Sequence, residues 1–199
     1  MSASATTPLT VEGLSVARGD VLLIEALSFA LRAGEALHVV GENGAGKSTL
    51  LLALAGLIPA ASGTVTIDRD GLAFLGHDNG LLPDLTVSEN LALYERSGVE
   101  PSVDVVVTLG VEALMAKPAR TLSFGQARRV ALALTCLPDK QLWMLDEPLA
   151  GLDQQTAAAL QSLLAANLQQ GKSLVFTSHE RGLEDVSRLD LDSHRSAHV

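Results

Sequence analysis

The chain has a single cysteine, few basic residues and no long apolar run, and each shortage removes a class of protein. Cys136 has no second cysteine with which to close an internal disulfide. It sits in the apolar run 132–137, reads as a small buried hydrophobe, and fits a reducing, cytoplasmic setting. Lysine and arginine number 14 against 23 acidic residues, a net charge of −9. A nucleic-acid sleeve needs a basic face, so no nucleic-acid partner is expected. Any polyphosphate site must then be locally positive against the field of the whole molecule. The longest apolar stretch, 50–58, is about half the length of a transmembrane helix. The Ser/Thr/Ala-rich start, residues 1–8, reads as a disordered leader without the basic-plus-apolar pattern of a secretory signal. Membrane association is therefore expected only through a partner.

What is present is a globular composition. Hydrophobic residues make up 47% and charged residues 19% of 199 positions, enough for one domain with a sizeable core. Residues 9–16, 26–31, 36–40, 64–68 and 72–75 read as strands, as do 142–145 and 173–177. Residues 47–57 read as a buried helix, apolar nearly all round, and 154–169 as another helix. Thr86-Val87-Ser88-Glu89 fits a capping box that opens a helix to about Tyr94. One or two short helices fill 103–117. The stretch 84–137 has no convincing strand and reads as a small helical subdomain inserted in an α/β core of about 9–83 and 138–192. Strands alternating with helices imply a largely parallel sheet whose chemistry lies at the C-terminal ends of its strands.

Two motifs sit at such ends. Gly41-Glu42-Asn43-Gly44-Ala45-Gly46-Lys47-Ser48, followed by Thr49, fits the P-loop pattern G-x-x-x-x-G-K-[ST] between a strand and a helix. Its glycines let backbone N–H groups turn toward phosphates, Lys47 reaches the β- and γ-phosphates, and the Ser48 hydroxyl ligates Mg²⁺. Leu142-Trp143-Met144-Leu145-Asp146-Glu147 is an apolar strand ending in two acids. A carboxylate at a buried strand end is costly without a cation. Asp146 suits a water-mediated hold on Mg²⁺, and Glu147 the base that polarises the attacking water.

Kinases, GTPases and helicases carry P-loops too. Leu122-Ser123-Phe124-Gly125-Gln126 separates them: with it the chain resembles the ATP-binding cassette family, whose signature is Leu-Ser-Gly-Gly-Gln. The resemblance runs over nearly the whole chain. It identifies 41–48 with the Walker A motif, 142–147 with the Walker B, 148–153 with the D-loop, and Thr177-Ser178-His179 with the end-of-strand histidine switch. The fold it implies is a P-loop NTPase core with a parallel sheet, N-terminal antiparallel strands and an inserted helical subdomain, the whole chain forming one nucleotide-binding domain. The activity it implies is Mg-ATP hydrolysis, with Glu147 and His179 as catalytic residues. It further implies a head-to-tail homodimer in which Ser123, Phe124, Gly125 and Gln126 close over the nucleotide of the other subunit, with Asp153 at the dimer contact. Ser123 stands where a helix begins, so its hydroxyl and nearby N–H groups suit a γ-phosphate.

The chain departs from the family pattern at four places. His77-Asp78 stands where the Q-loop glutamine is usual, so either His77 or Asp78 takes over at Mg²⁺, or the loop senses a partner. Arg18-Gly19 replaces the aromatic that stacks on adenine; a guanidinium is planar and can stack, and the alternative is a solvated turn arginine. Phe124 replaces the first signature glycine, and its ring must find room near the nucleotide or the interface. Leu134 follows Ala133, where the signature helix usually carries an arginine. Small size, Gly76-His77, Arg18 and Leu-Trp-Met-Leu-Asp-Glu-Pro make the chain most similar to the ATP-binding subunits of the haem exporters of cytochrome c maturation. That implies a peripheral subunit on the cytoplasmic membrane face, working with integral membrane transporter subunits. The alternatives are the motor of another small exporter of lipids, drugs or ions, or a soluble ATP-gated clamp. His38, His194 and His198 read as surface or core residues rather than haem ligands. Loop 77–84, with Gly80 as a bend, is expected to leave Leu81 and Leu82 partly exposed for a short helix of a membrane subunit.

Overall fold

The computed structural model describes residues 7–96, 102–178, 183 and 186–194, apart from the side chains of 95 and 96. Residues 1–6 of the expected leader, His179 and His198 lie outside these.

An antiparallel sheet opens the chain. β1 (Leu9–Arg18) and β2 (Val21–Leu31) form a hairpin turning at Gly19, and β4 (Ser62–Ile67) pairs with the other edge of β1. The second strand starts well before residue 26. Ala26 has a left-handed φ of 51° and its N–H is taken by the Ser15 hydroxyl at 3.1 Å. The register slips around Leu14–Val16, and such irregularity breaks the period-two alternation that 21–25 would otherwise show.

The second sheet is parallel, in the order β5 (Leu72–Leu75), β6 (Leu142–Leu145), β7 (Ser173–Thr177), β3 (Ala36–Val40), β8 (Ser187–Asp190). Its strands are apolar runs because both faces are covered. Trp143 and Leu145 of β6 face a cluster built with Val130, Leu160 and Leu164. Leu142 and Met144 face the other, with Leu50, Leu51 and the antiparallel sheet. β8 was not expected. It is an edge strand whose Ser-Arg-Leu-Asp is mostly exposed, so its sequence carries no apolar signal and only pairing to β3 makes it a strand.

α1 (Lys47–Leu54) ends earlier than residue 57, closed by Gly56 at φ 70°. It buries Leu50, Leu51 and Leu54 but leaves Ser48 exposed. α2 (Val87–Arg96) carries the expected capping box. Glu89 N–H donates to Thr86 Oγ1 at 3.2 Å, and Thr86 N–H to Glu89 Oε2 at 2.8 Å. α3 (Val103–Thr108), 3₁₀ turns at 112–114 and 119–121, and α4 (Phe124–Thr135) follow. Among the described residues of 84–137 there is no strand, only an isolated bridge between Thr86 and Pro118. α5 (Gln154–Gln169) begins after Asp153, whose carboxylate accepts from Thr156 N–H at 2.9 Å.

Candidate active site

The parallel sheet delivers its chemistry to one edge. β3 runs into Gly41, β5 into Gly76, β6 into Asp146, and β7 into Ser178. A cavity of about 430 Å³ lies there, lined by Asn43, Lys47, Ser48 and Thr49 from the P-loop, by Glu147 opposite, and by Arg18, His77 and Phe124. The linear motifs of the sequence are thus brought to one place.

The P-loop is a cradle without a ligand's worth of side chain in it. Gly44 and Gly46 adopt φ of 85° and 95°, as inward-facing amides require. Lys47 curls back, its Nζ donating to the Gly41 carbonyl at 2.8 Å and the Glu42 carbonyl at 3.0 Å. Two of its three donors are used on its own loop. Glu42 N–H donates to Asp192 at 3.1 Å, which ties the loop to the turn after β8. Asp192 is a contact that no sequence pattern announced.

Asp146 is 2% exposed, and the Thr177 hydroxyl donates to its Oδ1 at 2.6 Å. The same Thr177 oxygen accepts the Glu147 N–H at 2.9 Å. Glu147 holds a left-handed φ of 52°, a conformation that costs a non-glycine residue about 1–3 kcal/mol and survives only where the surroundings impose it. Ser48, His77 and Asp146 also line an adjoining cavity of about 390 Å³. A hydroxyl and a buried carboxylate lining one cavity form the sparse oxygen donor set that a hard divalent cation takes when phosphate and water complete its shell.

Arg128 was missed by sequence reasoning. It is 1% exposed, in the fifth position of α4. One end of the guanidinium donates to the Gly76 carbonyl and Asn79 Oδ1, both at 3.0 Å. The other donates to the Asp146 carbonyl and, at 3.2 Å, the Glu147 carbonyl. Burial lowers its pKa from the ordinary arginine value, while the charges of Asp146 and Glu147 push it back up. The signal was available: Arg128 shares a helical stripe with buried Ala131 and Leu132, where a solvated arginine would not be placed.

The signature segment is positioned by its own capping. Ser123 Oγ accepts the Gln126 N–H at 3.3 Å, and Gln126 Oε1 accepts the Ser123 N–H at 3.1 Å. A Cβ on Gly125 would collide with the Gly151 carbonyl, so the signature and the 148–153 loop touch backbone to backbone. The Phe124 ring finds its room there, against Gly151 of its own chain, and is half exposed beside the cavity. Asp153 caps α5, and the Thr156 N–H it accepts holds its carboxyl below the usual range. Leu134 is buried in the core cluster. Arg18 is exposed at the hairpin tip beside the cavity.

His38 stacks on Phe176 with ring centroids 4.5 Å apart. Burial lowers its pKa, so it is a core residue, as expected, and His194 is half-buried. Burial also pushes the Cys136 thiol up to about 12, which fits an inert hydrophobe. Leu81 packs partly against the core, while Leu82 is 50% exposed. Among the described residues no helix is long and apolar enough to cross a membrane.

Known proteins share this arrangement. The ABC transporter family matches residues 24–150. The cytochrome c biogenesis ATP-binding export protein CcmA of Paracoccus denitrificans is 38% identical over 96% of this chain and 92% of its own length. That of Gluconobacter oxydans is 43% identical over 86% of this chain and 81% of its own. Among solved structures, the ATP-binding subunit of an ABC transporter superposes with a TM-score of 0.77 at 24% identity, covering 87% of this chain and 80% of that one. A dimeric ATP-binding cassette in a post-hydrolysis state, bound to ADP and Pi, gives 0.74 at 22%, covering 86% and 88%. At those identities the superpositions speak for the fold alone, but family match and relatives agree with the phosphate cradle and its facing acid: the chain belongs to the ABC transporter family and is an ATPase.

Proposed function

We propose that this chain is the ATP-hydrolysing subunit of a haem exporter serving cytochrome c-type biogenesis. The observation that carries the hydrolytic half is the single cavity that sets Lys47 and Ser48 against Glu147. The export half rests on relatives named as cytochrome c biogenesis ATP-binding export proteins. In this reading Lys47 leaves the Gly41 and Glu42 carbonyls for the β- and γ-phosphates, and Arg18 lies under the adenine. The loop Gly41, Glu42, Asn43, Gly44, Ala45, Gly46, with Ser48 and Thr49, wraps the phosphates and meets them through the amides it leaves uncommitted, the Glu42 N–H being held by Asp192 and the Ala45 N–H by the Glu42 carbonyl. Ser48 and Asp146 would hold Mg²⁺, which would offset phosphate charge; His77, which lines the same cavity, would share that task. Glu147 orients and deprotonates the attacking water. His179, outside the described residues, follows β7 and belongs at the γ-phosphate.

Ser123, Phe124, Gly125 and Gln126 act on the nucleotide of a second copy, with Asp153 at the contact. Capping consumes only a lone pair of the Ser123 hydroxyl, so its proton remains available to a phosphate oxygen. Within the single domain, the helical stretch 84–137 acts as a subdomain that moves against the core. The chain sits peripherally on the cytoplasmic membrane face, and the exposed Leu82 with Leu81 receives a short helix of an integral membrane subunit. Burying carboxylates in an apolar contact is strongly unfavourable. Replacing Leu81 and Leu82 together by Asp should therefore spare hydrolysis by the purified chain yet abolish co-purification with membranes. A double variant that fractionates with membranes like wild type would place the docking site elsewhere.

A further inference from the structure

Resting on that ATPase reading, we propose that Arg128 is the positioning residue that couples loop 76–80 to the catalytic backbone at Asp146–Glu147. The guanidinium is a planar fork whose two ends are committed to two different segments. Its loop-side bonds go to Gly76 and Asn79, and its catalytic-side bonds go to the Asp146 and Glu147 carbonyls. Nothing else among the described hydrogen bonds joins these two segments through a side chain.

The tie matters because Glu147 is held against its own preference. Its left-handed backbone is gripped on the amide side by Thr177 and on the carbonyl side by Arg128. Thr177 belongs to β7, a central strand buried throughout, and does not move independently of the sheet. Arg128 belongs to α4, and its other end rests on a loop whose His77, Asp78 and Gly80 are exposed. A displacement of loop 76–80 therefore pulls one end of a rigid fork whose other end fixes the peptide carrying the Glu147 carboxylate. The buried Nε, which has no partner, anchors the group to neither side, so the bonds at its two tips set its position. Arg128 borders the cavity, but at 1% exposure and with both tips of its guanidinium committed it acts through Glu147 rather than on substrate. It governs the rate of the chemical step more than the hold on nucleotide, which is made by the P-loop at the end of a different strand.

Asn79 gives the test a handle outside the core. The measurements are kcat and KM for Mg-ATP hydrolysis by the purified chain, with Tm recorded for every variant. Asn79→Leu keeps the size and removes the acceptor; it should lower kcat at least about tenfold, the worth of a lost hydrogen bond to a charged group, with KM within twofold. Asn79→Asp, which keeps an acceptor, should restore kcat. Arg128→Lys, a point donor that cannot span both segments, should lower kcat at least as far. The double variant Asn79→Leu/Arg128→Lys should be no slower than Arg128→Lys alone, because the loop then has nothing left to pull. Wild-type kcat in Asn79→Leu, or losses that multiply in the double variant, would overturn the coupling. Should Arg128→Lys fail to fold, the contrast between Asn79→Leu and Asn79→Asp decides by itself. If the wild-type chain does not hydrolyse ATP, the ATPase reading has failed; if it does and Asn79→Leu is unimpaired, only the coupling has.

Discussion

α1 and α4 both begin at the nucleotide edge, and they begin in opposite ways. α1 follows Gly46, left-handed and without any side-chain cap. α4 follows Ser123, which closes a reciprocal capping box with Gln126. The first four N–H groups of a helix lack intrahelical partners, so an uncapped start is stable only when something else satisfies them. At α1 no side-chain cap does so, which leaves these groups to water or a bound anion; at α4 the Ser123 side chain supplies a partner. The cations near the two starts differ in the same sense. Lys47 rests on two carbonyls of its own loop, which it can exchange for phosphate oxygens, whereas Arg128 is locked between two segments. In the proposed reading the difference separates a site that binds nucleotide in the isolated chain from one that meets it only across a dimer.

The strongest way to break this comparison is to stop the chemistry and watch the two helices separately. Glu147→Gln should lower the hydrolysis rate by about 10²–10⁴-fold while ATP still binds, and size-exclusion chromatography with Mg-ATP should show a dimer. Adding Ser123→Ala to Glu147→Gln should return the protein to monomer with ATP still on α1. A Glu147→Gln chain that stays monomeric would remove the trans role from α4.

Next in size is Lys47→Ala. Loss of its charge-assisted contacts should weaken ATP binding at least about thirtyfold, read by equilibrium titration. Affinity within threefold of wild type would sink the assignment of α1 as the phosphate site.

Ser123→Ala alone should cost about 1 kcal/mol of stability, a fall of roughly 2–4 °C in Tm for a chain of this length, since it removes an N-cap. ATP affinity of the monomer should be unaltered. A drop in monomer affinity would mean that α4 acts on the nucleotide of its own chain.

The smallest effect is expected at the hairpin tip. Arg18 is exposed, so Arg18→Ala should weaken ATP by about 0.5–1 kcal/mol, the range of an exposed cation–π contact, without touching turnover at saturation. Unchanged affinity would return Arg18 to the solvent.

The parts of the site that are contiguous in the chain were legible in the sequence. The P-loop, the acid-ended strand, the capping box at Thr86 and the helix start at Ser123 are written within a turn or a strand's length, where periodicity and capping rules operate. β8 and the start of β2 were not legible. One is a polar edge strand held by a single neighbour, and the other runs through the left-handed residue Ala26. The helical character of 84–137 followed from its lack of alternation, but the early stop of α1 needed the turn at Gly56.

By itself, then, the sequence determined where the P-loop pattern falls, which strand carries the acids and where the two helices that open beside the cavity start, because each of these depends on neighbours a few residues away. Only the tertiary structure decided what stands opposite what. The sheet order places β7 between β6 and β3, which sets Thr177 on Asp146 and brings Glu147 across from Lys47. It also carries Gly76 and Asn79 to an arginine about fifty positions later in the chain, a partnership that no local period encodes. The physical reason is that a buried charge is satisfied by whichever carbonyls packing leaves beside it, and packing is settled between elements rather than within them.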